Sequence, residues 1–358
     1  MFMNAIGHYN FARMQRISIR SSYCIACFIA SVMVFSMFLQ VKINGFSAVM
    51  FGEMIYGKAH KPWAYRALLP FCVRITTSAI PEDLRNSLNQ KMWENNRFIR
   101  FNKRWQWEKS LITEYIIASI FMYLALGGFF FSLRYLFGSV YEAPTKLLDF
   151  TSLFALLALP VMFRYYSYIY DFPNLFFFTL CLALMIRNEW LLFLLVYTLS
   201  CFNKETTILL TMLFAIYFWC CSLPPLKNPL LRKLILIQIG IYFTARLMLF
   251  YFFHSNPGMF VGINLLKHNL SMFPYPIGTA VGFLLIIMAI LYKWEEKPLF
   301  LKCGLWMLLP LVLLCLLFGW LDEMRDYYEV YPVVTLLMAH TIGDIVQWKA
   351  VPHVIPSP

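Results

Sequence analysis

Long apolar runs recur along most of this chain, and the first covers residues 22–41. Hydrophobic residues make up 61% of the 358 positions and charged residues only 13%, whereas soluble proteins carry about 25% charged residues. A helix of about 20 apolar residues is long enough to cross the hydrocarbon core of a bilayer. We therefore predict an all-α fold, a polytopic bundle of transmembrane helices.

Hydropathy indicates about ten spans in one integral membrane domain, residues 1–358. Within it we predict a cytoplasmic N-terminus (1–21), a long external loop (42–111) and a transmembrane bundle (112–347). The fourth to sixth spans are short, which is tolerated where protein or a cavity surrounds the segment. The predicted spans are 22–41, 112–133, 149–168, 173–187, 189–202, 206–222, 231–253, 272–292, 299–320 and 329–347.

The basic residues predict the orientation. With a cytoplasmic N-terminus, thirteen Lys and Arg residues fall on the cytoplasmic side and four in short external connections. Both termini are therefore predicted to be cytoplasmic, in the inner membrane if the source is bacterial. The first apolar run is too long for the apolar region of a signal peptide, so we expect it to be retained.

The net charge of +12 admits two interpretations. Nucleic-acid binding would need a basic stripe on a recognisable binding module, and none is apparent in the sequence. In a membrane protein, basic residues contact anionic lipid head groups. We expect membrane lipids as partners and no nucleic acid.

The first external loop has two parts. Residues 44–80 alternate apolar and polar stretches, which predicts amphipathic helices at the membrane interface. A competing interpretation makes 63–80 a further span, but Arg66, Pro70 and Arg74 argue against it. The second part of the loop, up to residue 110, is highly charged.

Polar residues gather in four of the external connections. Ionisable groups near hydrocarbon cost about 2.5 to 3.5 kcal/mol each unless they are paired or solvated, so their presence suggests a site. The alternative is that they are ordinary interfacial anchors or pair with one another. The residues are Glu53, His60, Tyr65 and Arg66; Arg164, Asp171 and Asn174; Asn203, Lys204 and Glu205; and Asp322, Glu323, Arg325, Asp326 and Glu329.

These residue types suit one kind of chemistry. Arginine binds phosphate through two parallel hydrogen bonds and lysine binds it as a point charge. A carboxylate can accept a proton from an attacking hydroxyl or hold a metal ion. Together they fit the transfer of a group from a lipid-phosphate carrier, in which basic residues stabilise the departing phosphate.

The sequence resembles the polytopic glycosyltransferases of the C-type (GT-C) fold, which use polyprenyl-phosphate sugars. The resemblance depends on Glu53 soon after the first span, on the segments YDFPN (170–174) and NKET (203–206), and on the late pattern of Glu323, Arg325 and Pro332. Many members carry an adjacent acidic pair early in the first loop, whereas Glu53 stands alone there.

The resemblance implies roles for individual residues. Glu53 would be the catalytic base, and Asp171 would hold the acceptor hydroxyl or a metal ion, or else cap the next helix. The donor would be a polyprenyl-phosphate-linked sugar and the acceptor a glycan, a lipid or a protein. A divalent metal ion is left open as cofactor, and no nucleotide-binding motif is apparent. The expected phosphate- and substrate-binding residues are Arg66, Tyr65, His60, Lys204, Glu205, Asn174, Glu323 and Arg325.

The sequence alone leaves three other functions open. A polysaccharide polymerase or ligase would act on lipid-linked oligosaccharides, although its characteristic polar loop comes late in the chain. A transporter or flippase of lipid-linked glycans would need polar residues through the midplane, where Arg246 is the main charge. A non-catalytic membrane subunit would leave the polar residues scattered in space.

Overall fold

The computed structural model describes residues 22–221, 227–259, 266–271 and 276–353. The predicted N-terminal segment 1–21, residues 272–275 of the predicted eighth span and residue 222 of the sixth lie outside the described residues. Regular structure is almost entirely helical, which confirms the all-α prediction.

The helices follow one another along the described chain with one short antiparallel ladder, in which Tyr141 pairs with Pro352. The helices are α1 (Ser22–Gln40), α2 (Phe51–Ile55), α3 (Leu68–Ser78), α4 (Glu82–Glu94), α5 (Asn96–Trp105), α6 (Ile112–Val140), α7 (Thr145–Ala158), α8 (Asp171–Ile186), α9 (Trp190–Asn203), α10 (Ile208–Cys220), α11 (Pro229–Phe252), α12 (Leu266–Ser271), α13 (Ile277–Leu291), α14 (Leu299–Gly304), α15 (Leu308–Phe318) and α16 (Tyr331–Ile345), and the strands are β1 (Tyr141–Glu142) and β2 (Val351–Pro352).

Five helical segments of the described chain are long and apolar enough to cross a membrane. This agrees with a polytopic membrane protein, and the full count of about ten spans is not confirmed. The 14 residues of α9, for example, extend only about 21 Å, less than the roughly 30 Å of a bilayer core. The five segments are Ser22–Gln40, Lys109–Val140, Thr145–Met162, Pro229–Phe252 and Leu299–Phe318.

Two predicted span ends were wrong. The second span was predicted to end at 133, but α6 continues to Val140, and Asp149 on α7 accepts a 2.7 Å hydrogen bond from Arg134 in this last part of the helix. The third was predicted to reach 168, but the helical segment ends at Met162. There the chain pairs with the segment that leaves α1, and the Asn44 backbone N–H donates to the Ser167 carbonyl at 2.8 Å.

The first loop contains helices in both of its parts. In the first part, α3 buries Leu69, Val73 and Thr77, which recur every four residues on one face, and packs against α6. Its 11 residues are too few for the competing span over 63–80. The second part forms α4 and α5, which the sequence did not predict. The Asn89 side chain anchors α4 by accepting hydrogen bonds from the backbone and hydroxyl of Thr113.

The helix ends define two ends of the bundle. At one end, which we call the opposite end, lie the β1–β2 ladder and the Arg134–Asp149 pair. At the other, the cluster end, α1 and α7 finish and α8 and α10 begin. The Asn203 side chain donates a 3.2 Å hydrogen bond to the Tyr170 carbonyl, and this bond joins the end of α9 to the start of α8. The polar residues predicted to converge lie at this cluster end.

Candidate functional site

The site is a group of side chains from four separate connections, which we call the charged cluster. The first loop contributes Arg66, and the turn between α9 and α10 contributes a lysine and a glutamate. The start of α8 and the segment between α15 and α16 supply the rest. The members of the charged cluster are Arg66, Tyr168, Tyr170, Asp171, Asn174, Lys204, Glu205, Glu323, Arg325, Asp326 and Glu329.

Arg66 forms the first node of the charged cluster. It follows a short 3-10 turn, Trp63–Tyr65, and its Nε donates to Glu205 Oε2 at 3.1 Å while Nη2 donates to Oε1. The third nitrogen donates to the Tyr170 hydroxyl, and the guanidinium lies 4.6 Å above the Tyr170 ring. Burial disfavours the charge of Arg66, but Glu205 outweighs this effect and raises the pKa. Arg66 therefore stays charged.

Arg325 forms the second node. Its Nε and Nη2 donate to Glu323 Oε1 at 2.8 and 2.7 Å, and its Nη1 lies 3.5 Å from Asp171 Oδ1. Burial disfavours the charge of Arg325, but the carboxylates of Asp326, Asp171 and Glu323 outweigh it and raise the pKa. Burial also raises the pKa of Glu323, an effect that Arg325 opposes.

Asp171 has a structural task at the start of α8. Its Oδ2 accepts a 2.9 Å hydrogen bond from the Tyr168 backbone N–H, so it fixes the turn that leads into the helix. Only 3% of the residue is exposed. No side-chain hydrogen bond caps the first turn of α8, so Asp171 stabilises the preceding turn and does not cap the helix as the alternative predicted. Its role toward an acceptor or a metal ion stays a prediction.

The third node is Lys204. Its Nζ lies 2.9 Å from Glu329 Oε1, which also accepts hydrogen bonds from Asn174 Nδ2 (3.1 Å) and from the Thr206 hydroxyl (2.5 Å). Glu329 has no exposed surface. A buried charge of this kind is tolerated only when it is paired and hydrogen-bonded, as here.

Two stacked tyrosines lie beneath the arginines. The rings of Tyr168 and Tyr170 are 5.2 Å apart and nearly parallel. The Arg325 guanidinium lies 4.1 Å from the centre of the Tyr168 ring, and Arg66 lies over Tyr170. No role was predicted for these tyrosines from the sequence. Their alternation in YSYIYD was the available signal, because residues two apart in an extended segment point to the same side.

Asp326, like Glu205, is a partly exposed acidic member of the charged cluster. It attracts Arg66, Lys204 and Arg325 electrostatically. The three cations are nearly closed off, with side chains 11%, 6% and 8% exposed. The cations are therefore less accessible than these two carboxylates. Asp326 and Glu329 were among the residues noted from the sequence, but neither was assigned a role.

Two predicted residues, Glu53 and His60, lie apart from these contacts among the described residues. Within the described chain, no hydrogen bond or ion pair joins the half-buried Glu53 of α2 to a member of the charged cluster. His60 is part of the loop after α2, where its backbone N–H donates to the Ala48 carbonyl at 3.0 Å. Tyr65 is buried. Their roles in catalysis and binding stay predictions.

A smaller ionic group surrounds Asp322. Its carboxylate accepts from Tyr165, from Arg164 Nη1 (3.0 Å) and from His268 Nε2 (3.2 Å). Burial opposes ionisation of Asp322, but these hydrogen bonds and the arginine outweigh it and lower the pKa. The His268 ring stacks on Trp320 at 4.5 Å, which secures α12 against the segment after α15. In the segment after α15, a substrate-binding role was predicted for Glu323 and Arg325 and not for Asp322.

Burial opposes ionisation of Glu205, but Arg66 outweighs this effect and lowers the pKa of that carboxyl, so the charged cluster keeps Glu205 ionised. Among the described residues, no group of three or more His, Cys, Asp or Glu side chains is placed to hold a metal ion. Comparison of the chain with models of known protein families, with curated proteins and with solved structures gave no match.

Proposed function

We propose that the protein is a membrane glycosyltransferase. It transfers a sugar from a polyprenyl-phosphate donor to a hydroxyl group of a glycan, lipid or protein acceptor at the external face. The observation that carries the proposal is a partly exposed carboxylate, Asp326, that attracts three nearly buried cations of the charged cluster. A partly exposed carboxylate is suited to accept the proton of an attacking hydroxyl.

The alternation of helix ends supports an external position for the site. Five helices finish at the cluster end, namely α1, α7, α9, α11 and α15. Four helices begin there, namely α6, α8, α10 and α16. Together with α13, these helices make the ten membrane crossings of the proposed topology. The opposite end is rich in basic residues, as expected of a cytoplasmic side. These residues include Arg134, Lys146, Arg187, Arg232 and Lys293.

The proposed reaction is a single displacement. The acceptor oxygen bonds to the anomeric carbon of the sugar as the bond from that carbon to the phosphate oxygen breaks. Asp326 takes the hydroxyl proton, and polyprenyl phosphate leaves with the bonding electrons. Arg66, Lys204 and Arg325 act as positioning residues, because each is bonded to a carboxylate of the charged cluster. The phosphate ester of the donor supplies the energy of transfer.

The test is transfer of radiolabelled sugar by the purified full chain in proteoliposomes, with a panel of polyprenyl-phosphate hexoses and pentoses. We expect Asp326→Asn to lower transfer by about 10²- to 10⁴-fold. The control is Asp344→Asn, which removes a carboxylate paired with Lys293 at the opposite end, 2.8 Å apart, and should leave transfer unchanged.

The outcomes of this test distinguish Asp326 from Glu53 as the base, and an enzyme from a transporter. Full activity of Asp326→Asn combined with loss in Glu53→Gln would contradict the assignment of Asp326 and support the residue that the family resemblance favours. Counterflow of a labelled lipid-linked glycan, with no covalent product from any donor in the panel, would contradict transfer and support a transporter.

A further inference from the structure

The short helix α12 holds the end of α15 through one asparagine. Asn269 is only 3% exposed, and its Nδ2 lies within hydrogen-bond distance of three carbonyls, those of Cys315 (3.1 Å), Leu316 (3.2 Å) and Gly319 (3.1 Å). Its Oδ1 accepts a 2.9 Å hydrogen bond from the Leu321 backbone N–H. The last carbonyls of a helix lack partners further along it, so this side chain satisfies groups that would otherwise need water.

The second contact between α12 and the connection from α15 to α16 is His268. Its Nε2 lies 3.2 Å from Asp322 Oδ1, and its ring stacks on Trp320 at 4.5 Å. The other oxygen of Asp322 contacts Arg164 Nη1 at 3.0 Å and the Tyr165 hydroxyl. The imidazole therefore lies between an aromatic ring and a carboxylate of the same connection.

The connection that α12 holds also carries Asp326. The Glu323 backbone N–H donates to the Trp320 carbonyl at 3.0 Å, and the Asp326 backbone N–H donates to the Glu323 carbonyl at 2.9 Å. A Cβ at Gly319 would lie 3.4 Å from Asp326 Oδ2, so the carboxylate rests against this glycine. The carbonyl of Gly319 is one of those that Asn269 binds. A movement of α12 is therefore transmitted to the Asp326 carboxylate.

We infer that His268 is a positioning residue for Asp326: its protonated ring pairs with Asp322 and tightens the hold of α12 on the connection between α15 and α16. The inference rests on the proposed function only for the role of Asp326 as the base. A histidine gains or loses its charge near neutral pH, and the charged ring adds an ion pair to the contact with Asp322. The hold on Asp326 is therefore tighter at acid pH than at alkaline pH.

The charge around His268 comes from side chains of two other connections. Asp322 faces Nε2, Arg164 binds the far oxygen of the same carboxylate, and Tyr165 meets the ring edge-on at 6.4 Å. Burial, together with the hydrogen bond to Asp322, raises the pKa of Tyr165 to about 12, so this hydroxyl keeps its proton at neutral pH. On α12 itself, Lys267 is exposed. We therefore assign the change near neutral pH to the imidazole.

The test compares the unmodified full chain with His268→Gln, because glutamine can still donate to Asp322 but cannot take a charge. Hydrogen–deuterium exchange in detergent, corrected for intrinsic rates, measures the protection of backbone amides in residues 319–326 from about pH 6 to about pH 8. Protection should be at least about 3-fold higher in the unmodified protein at the acid end, and the difference should disappear at the alkaline end. His254→Gln, at an exposed histidine just after α11, is the matched control and should leave protection unchanged.

Transfer kinetics test the link to Asp326. The kcat of the unmodified protein should exceed that of His268→Gln by at least about 3-fold at acid pH and equal it at alkaline pH. The KM for the donor should not change, because the variant displaces the base and not the donor. A loss of the same size at every pH would indicate a structural role alone and overturn the inference. Asn269→Ala should lower protection of residues 319–326 at every pH, since asparagine does not titrate, and His268→Gln decides the question by itself where Asn269→Ala does not fold.

Two outcomes separate this inference from the proposed enzyme. Protection that depends on both pH and His268, with no transfer from any donor, would support the hold of α12 and contradict the enzyme. Transfer that requires Asp326, with protection and kcat unaffected by His268→Gln, would support the enzyme and overturn the inference.

Discussion

Arg66 and Glu205 are joined by two parallel hydrogen bonds, although they lie 139 residues apart in the chain. The pair connects the first loop to the turn between α9 and α10. A fork-to-fork geometry fixes orientation as well as distance. It therefore sets the position of the first loop relative to the rest of the charged cluster.

We expect Arg66→Lys to destabilise the protein by about 1–3 kcal/mol, because lysine keeps the charge but cannot form the paired bonds to Glu205 or reach Tyr170 in the same geometry. Thermal unfolding in detergent measures the change. The matched control is Arg134→Lys at the opposite end, where the arginine side chain is 38% exposed, against 11% for Arg66. Its cost should be below about 1 kcal/mol. Equal losses in the two variants would contradict a special role for the Arg66 pair.

The Lys204–Glu329 pair should behave as one unit. Removing one partner leaves the other charge buried, so Lys204→Met and Glu329→Gln should each cost about 3–5 kcal/mol. The double variant should cost much less than the sum, which a double-mutant cycle of thermal unfolding measures. The control cycle uses Lys293→Met and Asp344→Asn, whose partners are 37% and 23% exposed. Its coupling should stay below about 1 kcal/mol.

The convergence of Arg66, Lys204, Glu205 and Arg325 followed from the sequence because alternate helix connections lie at the same end of a bundle. Contact partners could not be derived in this way. Glu329 lies just before α16, and only the packing of neighbouring helices brings it to Asn174 and Lys204. Hydropathy gave the apolar runs but not the break after Met162, because that break depends on pairing with the distant segment at Asn44. The order of the spans was therefore more predictable than their ends.

Lys297 gives a test of pH dependence. In the connection between α13 and α14 its Nζ donates to the carbonyls of Ala289 (3.1 Å) and Leu337 (2.6 Å) and to the Thr341 hydroxyl (2.9 Å). Burial lowers the pKa of Lys297 from 10.5 to about 8. Between these values the unfolded chain binds more protons than the folded one, so stability rises with pH. This contribution is fully present above 10.5 and is lost as the pH falls through 8.

The stability of the unmodified protein relative to Lys297→Met should therefore increase from neutral to alkaline pH. Thermal unfolding of both proteins across that interval measures the difference. Lys302→Met is the control, because the Lys302 ammonium is exposed and donates to the Glu295 carbonyl. A difference between the unmodified protein and Lys297→Met that does not change with pH would contradict the buried position of the ammonium.

Neighbouring glycines on α6 should respond oppositely to the same substitution. A Cβ at Gly128 would lie 2.7 Å from the Phe176 ring of α8, whereas a Cβ at Gly127 would meet nothing within 4 Å. Gly128→Ala must therefore push the helices apart or displace the ring, at a cost of about 1–3 kcal/mol. Gly127→Ala should be neutral or stabilising by up to about 1 kcal/mol, because alanine favours helix. Thermal unfolding of the two variants compares them directly, and a larger loss in Gly127→Ala would contradict the close packing of α6 on α8.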